Sequence, residues 1–205
     1  MNLSDLPVDL ASLLALAAGL GWASGLRLYA AVFVVGLAGR LDWVQLPEGL
    51  RVLEHTWVLG AAGLMLAVEF FADKVPLIDS LWDTVHTFIR IPAGAALAAM
   101  VFGGQGTEWQ VTMALLGGTL AAGTHFAKAG ARALINSSPE PISNVLTSAG
   151  EDVITLTGLW IILAYPWLAL ALLLLFALAL AWLLPRLWRL ISGFLQRMMP
   201  TTPAQ

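Results

Sequence analysis

Six apolar runs dominate this chain, and most are long enough to cross a bilayer as a helix. Inside a bilayer no water serves the backbone, so a crossing segment must bond its own N–H and C=O groups, as a helix does. The expected fold is therefore an all-α polytopic membrane protein. The runs cover about Leu10 to Ala38, Trp57 to Ala72, Ser80 to Phe102, Trp109 to Leu134, Pro139 to Ala164 and Trp167 to Leu184. The first is long enough to tilt, or to break at Gly19-Leu20-Gly21. After the sixth, residues 185–199 alternate arginines (Arg186, Arg189, Arg197) with Leu187, Trp188, Ile191, Phe194 and Leu195, the pattern of an amphipathic helix lying on the membrane surface. Composition agrees: 59% of the 205 residues are hydrophobic and 11% charged, against about 25% charged in soluble domains. There is no cysteine, which removes disulfides and thiolate metal sites. Residues 1–10 hold Asp5 and Asp9 but no Lys or Arg, a poor signal-peptide start, so the first run is expected to be retained.

Two polar stripes interrupt this apolar background. Asp79, Asp83, His86 and Arg90 are spaced i, i+4, i+7, i+11, and Asn144, Ser148, Glu151 and Thr155 repeat the spacing. On a helix each set shares one face. Ionisable groups are expensive in a bilayer, so they are expected to face a cavity or one another. The wider inventory adds Ser24 and Arg27 in the first span, the i, i+4 pair Glu69 and Asp73 in the second, His125, Lys128 and Arg132 in the fourth, and Asp152 in the fifth. Acids and bases are nearly balanced in this set. It can neutralise itself by pairing, bind a zwitterion, or relay a proton through His86 or His125.

Plainer readings stand beside these. Asp79 is equally well an N-cap, and Asp73 with Lys74 can mark a span end. Lys128 and Arg132 lie near a membrane face, and Arg132 is best read as snorkelling to it. Ser138-Pro139-Glu140 reads as a helix start. Gly21-Trp22-Ala23-Ser24-Gly25, with Gly117, Gly118 and Gly123, reads as close helix packing rather than dimerisation.

With six spans, both termini and the loops after spans two and four share one side, which holds Lys74, Lys128, Arg132, Arg186, Arg189 and Arg197. The other side holds Arg40 and Arg51. The positive-inside rule puts both termini in the cytoplasm, and Trp43, Trp57, Trp109 and Trp167 all fall at the opposite boundary. There is also an internal two-helix repeat. Phe71-Ala72-Asp73-Lys74 echoes Phe126-Ala127-Lys128, and each is followed by a proline-containing turn and a stripe. The units are about 57–103 and 109–164. They are parallel if all spans cross, inverted if spans three and five are re-entrant, and transporters use both arrangements.

Asp79 and Asp83, with His86, could hold a divalent metal from one helical face, as in magnesium-dependent membrane transferases. No nucleophile–base pair, phosphate loop or zinc-protease motif accompanies them.

The segment from Glu69 to Gly94, EFFADKVPLIDSLWDTVHTFIRIPAG, resembles the central signature of a bacterial family of small integral membrane proteins catalogued as domain of unknown function four-one-two-six. His125 to Pro141, HFAKAGARALINSSPEP, followed by Glu151-Asp152, resembles its second signature, and Gly25 to Tyr29 also fits. The resemblance implies a multi-pass protein of the bacterial inner membrane and brings no activity with it.

The leading expectation is a small secondary transporter or channel for an ion or small polar solute, with a path between the repeat units. Asp83, His86, Arg90 and Glu151 are the first candidates to line it, followed by Glu69, Asp73, Lys128, Asp152, His125 and Arg27. One alternative is a metal-dependent enzyme acting on a lipid or prenyl phosphate, with Asp79 and Asp83 as ligands. The other is a scaffold whose polar stripes are internal glue. Expected partners are the lipid bilayer, the solute and a second copy of the chain. Neither a cofactor nor nucleic acid is expected.

Overall fold

The computed structural model describes residues 9–75, 78–136 and 141–198, and these are helical apart from short connections. The helices are α1 (Leu10–Arg40), α2 (Thr56–Ala72), α3 (Ile78–Val101), α4 (Thr107–Asn136), α5 (Pro141–Ala164) and α6 (Pro166–Met198). A short 3-10 helix, Glu48–Glu54, precedes α2. The helix start expected at Ser138-Pro139-Glu140 lies outside the described residues.

Among the described residues, four helical segments are long and apolar enough to cross a membrane: Leu10–Arg40, Leu81–Val101, Ile142–Ala164 and Pro166–Leu183. The 3-10 helix and α2, bent by 67° at their junction, make a fifth if taken together. The chain is thus a multi-pass membrane protein by its helices. α2 alone has 17 residues. α4 has the length, at 30 residues, but carries His125, Lys128 and Arg132 in its second half. α6 runs through Pro185 to Met198, so the expected surface helix is continuous with the sixth span.

α1 is the axis of the bundle and touches every other helix. Its residues from Ala15 to Gly21 are all buried, as expected of a helix apolar all round. Small residues let its neighbours close in. A Cβ added at Gly21 would lie 2.5 Å from Gly117 Cα and 2.6 Å from Gly117 O. One at Gly25 would meet Thr124 Cβ at 2.7 Å. The glycine motif is therefore the seat of α4 on α1. The apolar core is built from Leu13, Leu16, Leu20, Val35, Leu50, Leu97, Phe102 and Leu159 with their neighbours.

α1 does break, but not at Gly19-Leu20-Gly21. The one non-helical residue inside it is Arg27, with φ −143° and ψ 79°. The glycines sit in regular helix because they are needed for close approach. The break falls where a charged side chain reaches the end of α2 and the face of α5.

The repeat motifs sit differently in their helices. α2 ends at Ala72, directly after Phe71, whereas α4 continues past Phe126 to Asn136. α3 packs mainly along α4 and α1.

Candidate functional site

All eight stripe residues are buried, none more than 8% exposed. Six of them, with charged residues of α1, α2 and α4, form a single network with two parts, while His86 and Thr155 are buried beside it.

The first part centres on Arg90 of α3. Its Nη2 is 2.5 Å from Glu69 Oε1 at the end of α2, and its Nη1 is 2.6 Å from Asp83 Oδ1, two turns earlier on the same face. Arg90 Nη1 also lies 3.4 Å from His125 Nδ1. Guanidinium nitrogens only donate, so His125 Nδ1 accepts and the ring is neutral with its proton on Nε2. That Nε2–H donates to Thr87 Oγ1 at 2.6 Å, and Thr87 in turn donates to the Asp83 carbonyl at 2.9 Å. His86 is placed apart. Its Nδ1–H donates to the Trp82 carbonyl at 2.8 Å, its Nε2 is 3.0 Å from the Tyr29 hydroxyl, and its ring stacks on Trp82.

The second part surrounds the break in α1. Arg27 Nη1 is 2.6 Å from Asp73 Oδ2, and Nη2 is 3.0 Å from Asp152 Oδ1 and 3.7 Å from Glu151 Oε2. The same Nη2 donates to Ser148 Oγ at 3.1 Å and to its carbonyl at 3.2 Å. Arg132 of α4 grips Glu151 with two bonds, Nε to Oε1 at 3.0 Å and Nη2 to Oε2 at 2.9 Å. Its Nη1 donates to Asn144 Oδ1 at 2.5 Å and to the Asp73 carbonyl at 3.1 Å, and lies 3.5 Å from Asp79 Oδ2. The snorkelling reading of Arg132 is therefore corrected: the side chain points inward because Glu151 and Asn144 of α5 lie opposite it.

Lys128 joins the two parts. Its Nζ is 3.1 Å from Asp73, 3.3 Å from Asp83 and 3.5 Å from Glu151. It also donates to the Leu26 carbonyl at 3.4 Å, next to the break in α1. Irregular backbone at membrane depth is tolerated where protein buries it, and here Lys128 and the Arg27 network do so.

Acids from other helices approach both arginines, Glu69 at Arg90 and Glu151 at Arg27. Arg90 takes Glu69 and Asp83, while Glu151 takes Arg132, Lys128 and Arg27. Asp79 and Asp83 are turned toward cations, and among the described residues no group of three or more His, Asp or Glu is placed to hold a metal ion. Asp79 is more than a cap, being buried beside Arg132. Ser24 bonds its own helix, donating to the Leu20 carbonyl at 2.7 Å. Thr87 and Arg132 belong to the network, and Tyr29 lies beside it on His86, although none stood among the site candidates. Tyr29 was visible only as part of the Gly25–Tyr29 signature, and Thr87 lies one residue beyond His86.

Among the described residues, the core acids outnumber the core lysines and arginines that pair with them. Four cations (Arg27, Arg90, Lys128, Arg132) lie within ion-pair distance of six carboxylates (Glu69, Asp73, Asp79, Asp83, Glu151, Asp152). The two histidines close the gap only on paper, because His125 is held neutral.

Among the described residues, two openings reach the network. One, about 210 Å³, lies between α3 and α4 and is lined by Asp83, Thr84, Thr87, His125, Ala129 and Arg132, among others. The other, about 420 Å³, lies between α1, α2 and α5, with apolar walls and with Arg27, Asp152 and Thr155 in its lining.

A family model described as "Domain of unknown function (DUF4126)" matches residues 14–186. No curated protein and no solved structure matches the chain.

Proposed function

The chain belongs to the DUF4126 family, and we propose from its polar core that it is a small secondary transporter or channel for an ion or small polar solute. One observation carries the reading. The central helix is interrupted at Arg27, and the interruption lies inside a buried network of charges drawn from five helices. Discontinuous helices with charged groups at the break are how secondary transporters build substrate and ion sites. The opening between α3 and α4 gives such a site an approach past Asp83 and His125.

In this reading the protein is a six-span protein of the bacterial inner membrane with both termini in the cytoplasm. Units 57–103 and 109–164 flank the path. A second copy of the chain supplies bulk that six short spans lack.

The scaffold reading also has an observation in its favour. Each of the four core cations has at least one carboxylate within ion-pair distance. Internal glue, however, is best served by equal numbers of charges, and the carboxylates outnumber the cations. Flux separates the two readings. Purified protein is reconstituted in liposomes with an entrapped pH dye, and proton, sodium, potassium and chloride gradients are imposed in turn. Transport predicts dissipation of at least one gradient above protein-free liposomes. Tight vesicles under every gradient would favour the scaffold.

A further inference from the structure

Buried, uncompensated negative charge is costly, so a buried carboxylate poorly served by cations is the place to look for a bound proton. The Asp152 side chain is 25% exposed, so solvent and Arg27 can serve its charge. Asp79 lies in the first turn of α3, where the helix dipole itself favours an anion. The described carboxylates and histidines do not converge as metal ligands. His125 is held neutral by Arg90, and His86 has no carboxylate within ion-pair distance among the described residues. A proton on a carboxylate removes a buried charge without any ligand set.

The surroundings of each acid single one out. Asp73 Oδ2 has Arg27, Lys128 and Arg132 at 2.6, 3.1 and 3.9 Å. Glu151 is gripped by two bonds from Arg132, with Lys128 and Arg27 beyond. Asp83 has both Arg90 and Lys128. Asp152 has Arg27, and its side chain is 25% exposed. Glu69 is wholly buried and has one cation within ion-pair distance, Arg90, which it shares with Asp83. Its second oxygen, Oε2, is buried with no hydrogen-bond partner among the described residues. A neutral carboxyl tolerates such a place far better than a carboxylate. The charged and titratable groups around it are Tyr29 and Arg27 from α1, Asp73 at the end of its own helix, Asp83, His86 and Arg90 from α3, and His125 and Lys128 from α4.

We propose that Glu69 is a proton-binding site, occupied at neutral pH, and that its proton is the coupling ion. The reaction is the simple addition of a proton to a Glu69 carboxylate oxygen and its return to solvent. Arg90 links the site to the path. While Glu69 holds its proton, the guanidinium serves Asp83, on the wall of the opening between α3 and α4. When Glu69 ionises, it competes for the same guanidinium and leaves Asp83 more negative. Proton loss thereby changes the charge that a solute meets. The coupling role rests on the transport reading; the occupancy of Glu69 does not.

Infrared spectroscopy of the full chain in lipid nanodiscs tests the occupancy. The expected result is a carbonyl stretch of a protonated carboxyl at neutral pH that shifts in D₂O and vanishes in Glu69→Gln. In wild-type protein labelled with ¹³C-carboxyl glutamate the band must shift, which assigns it to a glutamate even if Glu69→Gln fails to fold. Asp152→Asn should keep the band. Absence of the band in the wild type, a band unmoved by the glutamate label, or a band persisting in folded Glu69→Gln would overturn the proposal. A band without flux in the liposome assay would leave the proton site standing and remove the transport reading.

Discussion

Arg132→Met is the sharpest perturbation of the polar core. Arg132 is 2% exposed and donates to Glu151 through two bonds, at 3.0 and 2.9 Å. Met keeps the stem and removes the charge. Glu151 then retains only Lys128 at 3.5 Å and Arg27 at 3.7 Å, while Asn144 loses its donor. Removing one partner of a buried pair costs about 3–5 kcal/mol. For a chain of 205 residues, about 2–4 °C in melting temperature accompanies each kcal/mol, so the expected drop is about 6–20 °C. Glu151→Leu should also destabilise. The double variant should lose less than the two singles combined, by about 0.5–3 kcal/mol, because the two groups then leave together. The measurement is tryptophan-fluorescence melting in detergent for the four proteins. If Arg132 were a snorkelling side chain, its loss would change stability by less than about 0.5 kcal/mol. That result, or strictly additive singles, would refute the inward placement.

Three other expectations follow from particular contacts. Gly21→Ala should lower the melting temperature by the equivalent of about 1–3 kcal/mol, because its Cβ meets Gly117 backbone at 2.5 Å; Gly60→Ala, with nothing within 4 Å, should raise it slightly, and equal effects would contradict the packing of α4 on α1. Asp9 caps α1 by accepting the Ser12 N–H at 2.8 Å, and hydrogen bonding from Ser12, side chain first and backbone second, holds its pKa below the ordinary 3.8. A depressed folded pKa means the cap contributes above pH 3.8 and is lost as pH falls through the folded value, so amide protection at Ser12, corrected for intrinsic exchange, should drop only in that acid range; protection independent of pH would contradict the cap. Single cysteines at Gly104 and Gln205, in a chain without native cysteine, should label from opposite membrane sides, and same-side labelling would end the six-span model.

The stripes were legible because the bilayer makes charge so costly that a periodic polar row in an apolar run has to face inward. Burial of Asp83, His86, Arg90, Asn144, Ser148, Glu151 and Thr155 is that rule at work. Pairing was not legible. Arg90 could have met Glu151 or Glu69, and the choice depends on where α2 ends, which periodicity does not report. Arg132 read as an interfacial side chain because its depth was counted along α4 alone; Glu151 opposite it belongs to another helix. The break in α1 fell at Arg27 rather than at the glycines because close packing on Gly117 holds Gly21 in the helix. The charge excess was hidden by two histidines whose neutrality or separation is set by Arg90, Trp82 and Tyr29.

The proposed solute path runs through the polar core and is entered between α3 and α4. Ala129 lines that opening and takes no part in the ion pairs. Ala129→Cys gives the chain a single thiol. Flux through proteoliposomes of this variant, before and after a membrane-impermeant thiol reagent, tests the path directly. Labelling should stop flux in Ala129→Cys and leave the cysteine-free wild type untouched. Undiminished flux through the fully labelled variant would contradict that path.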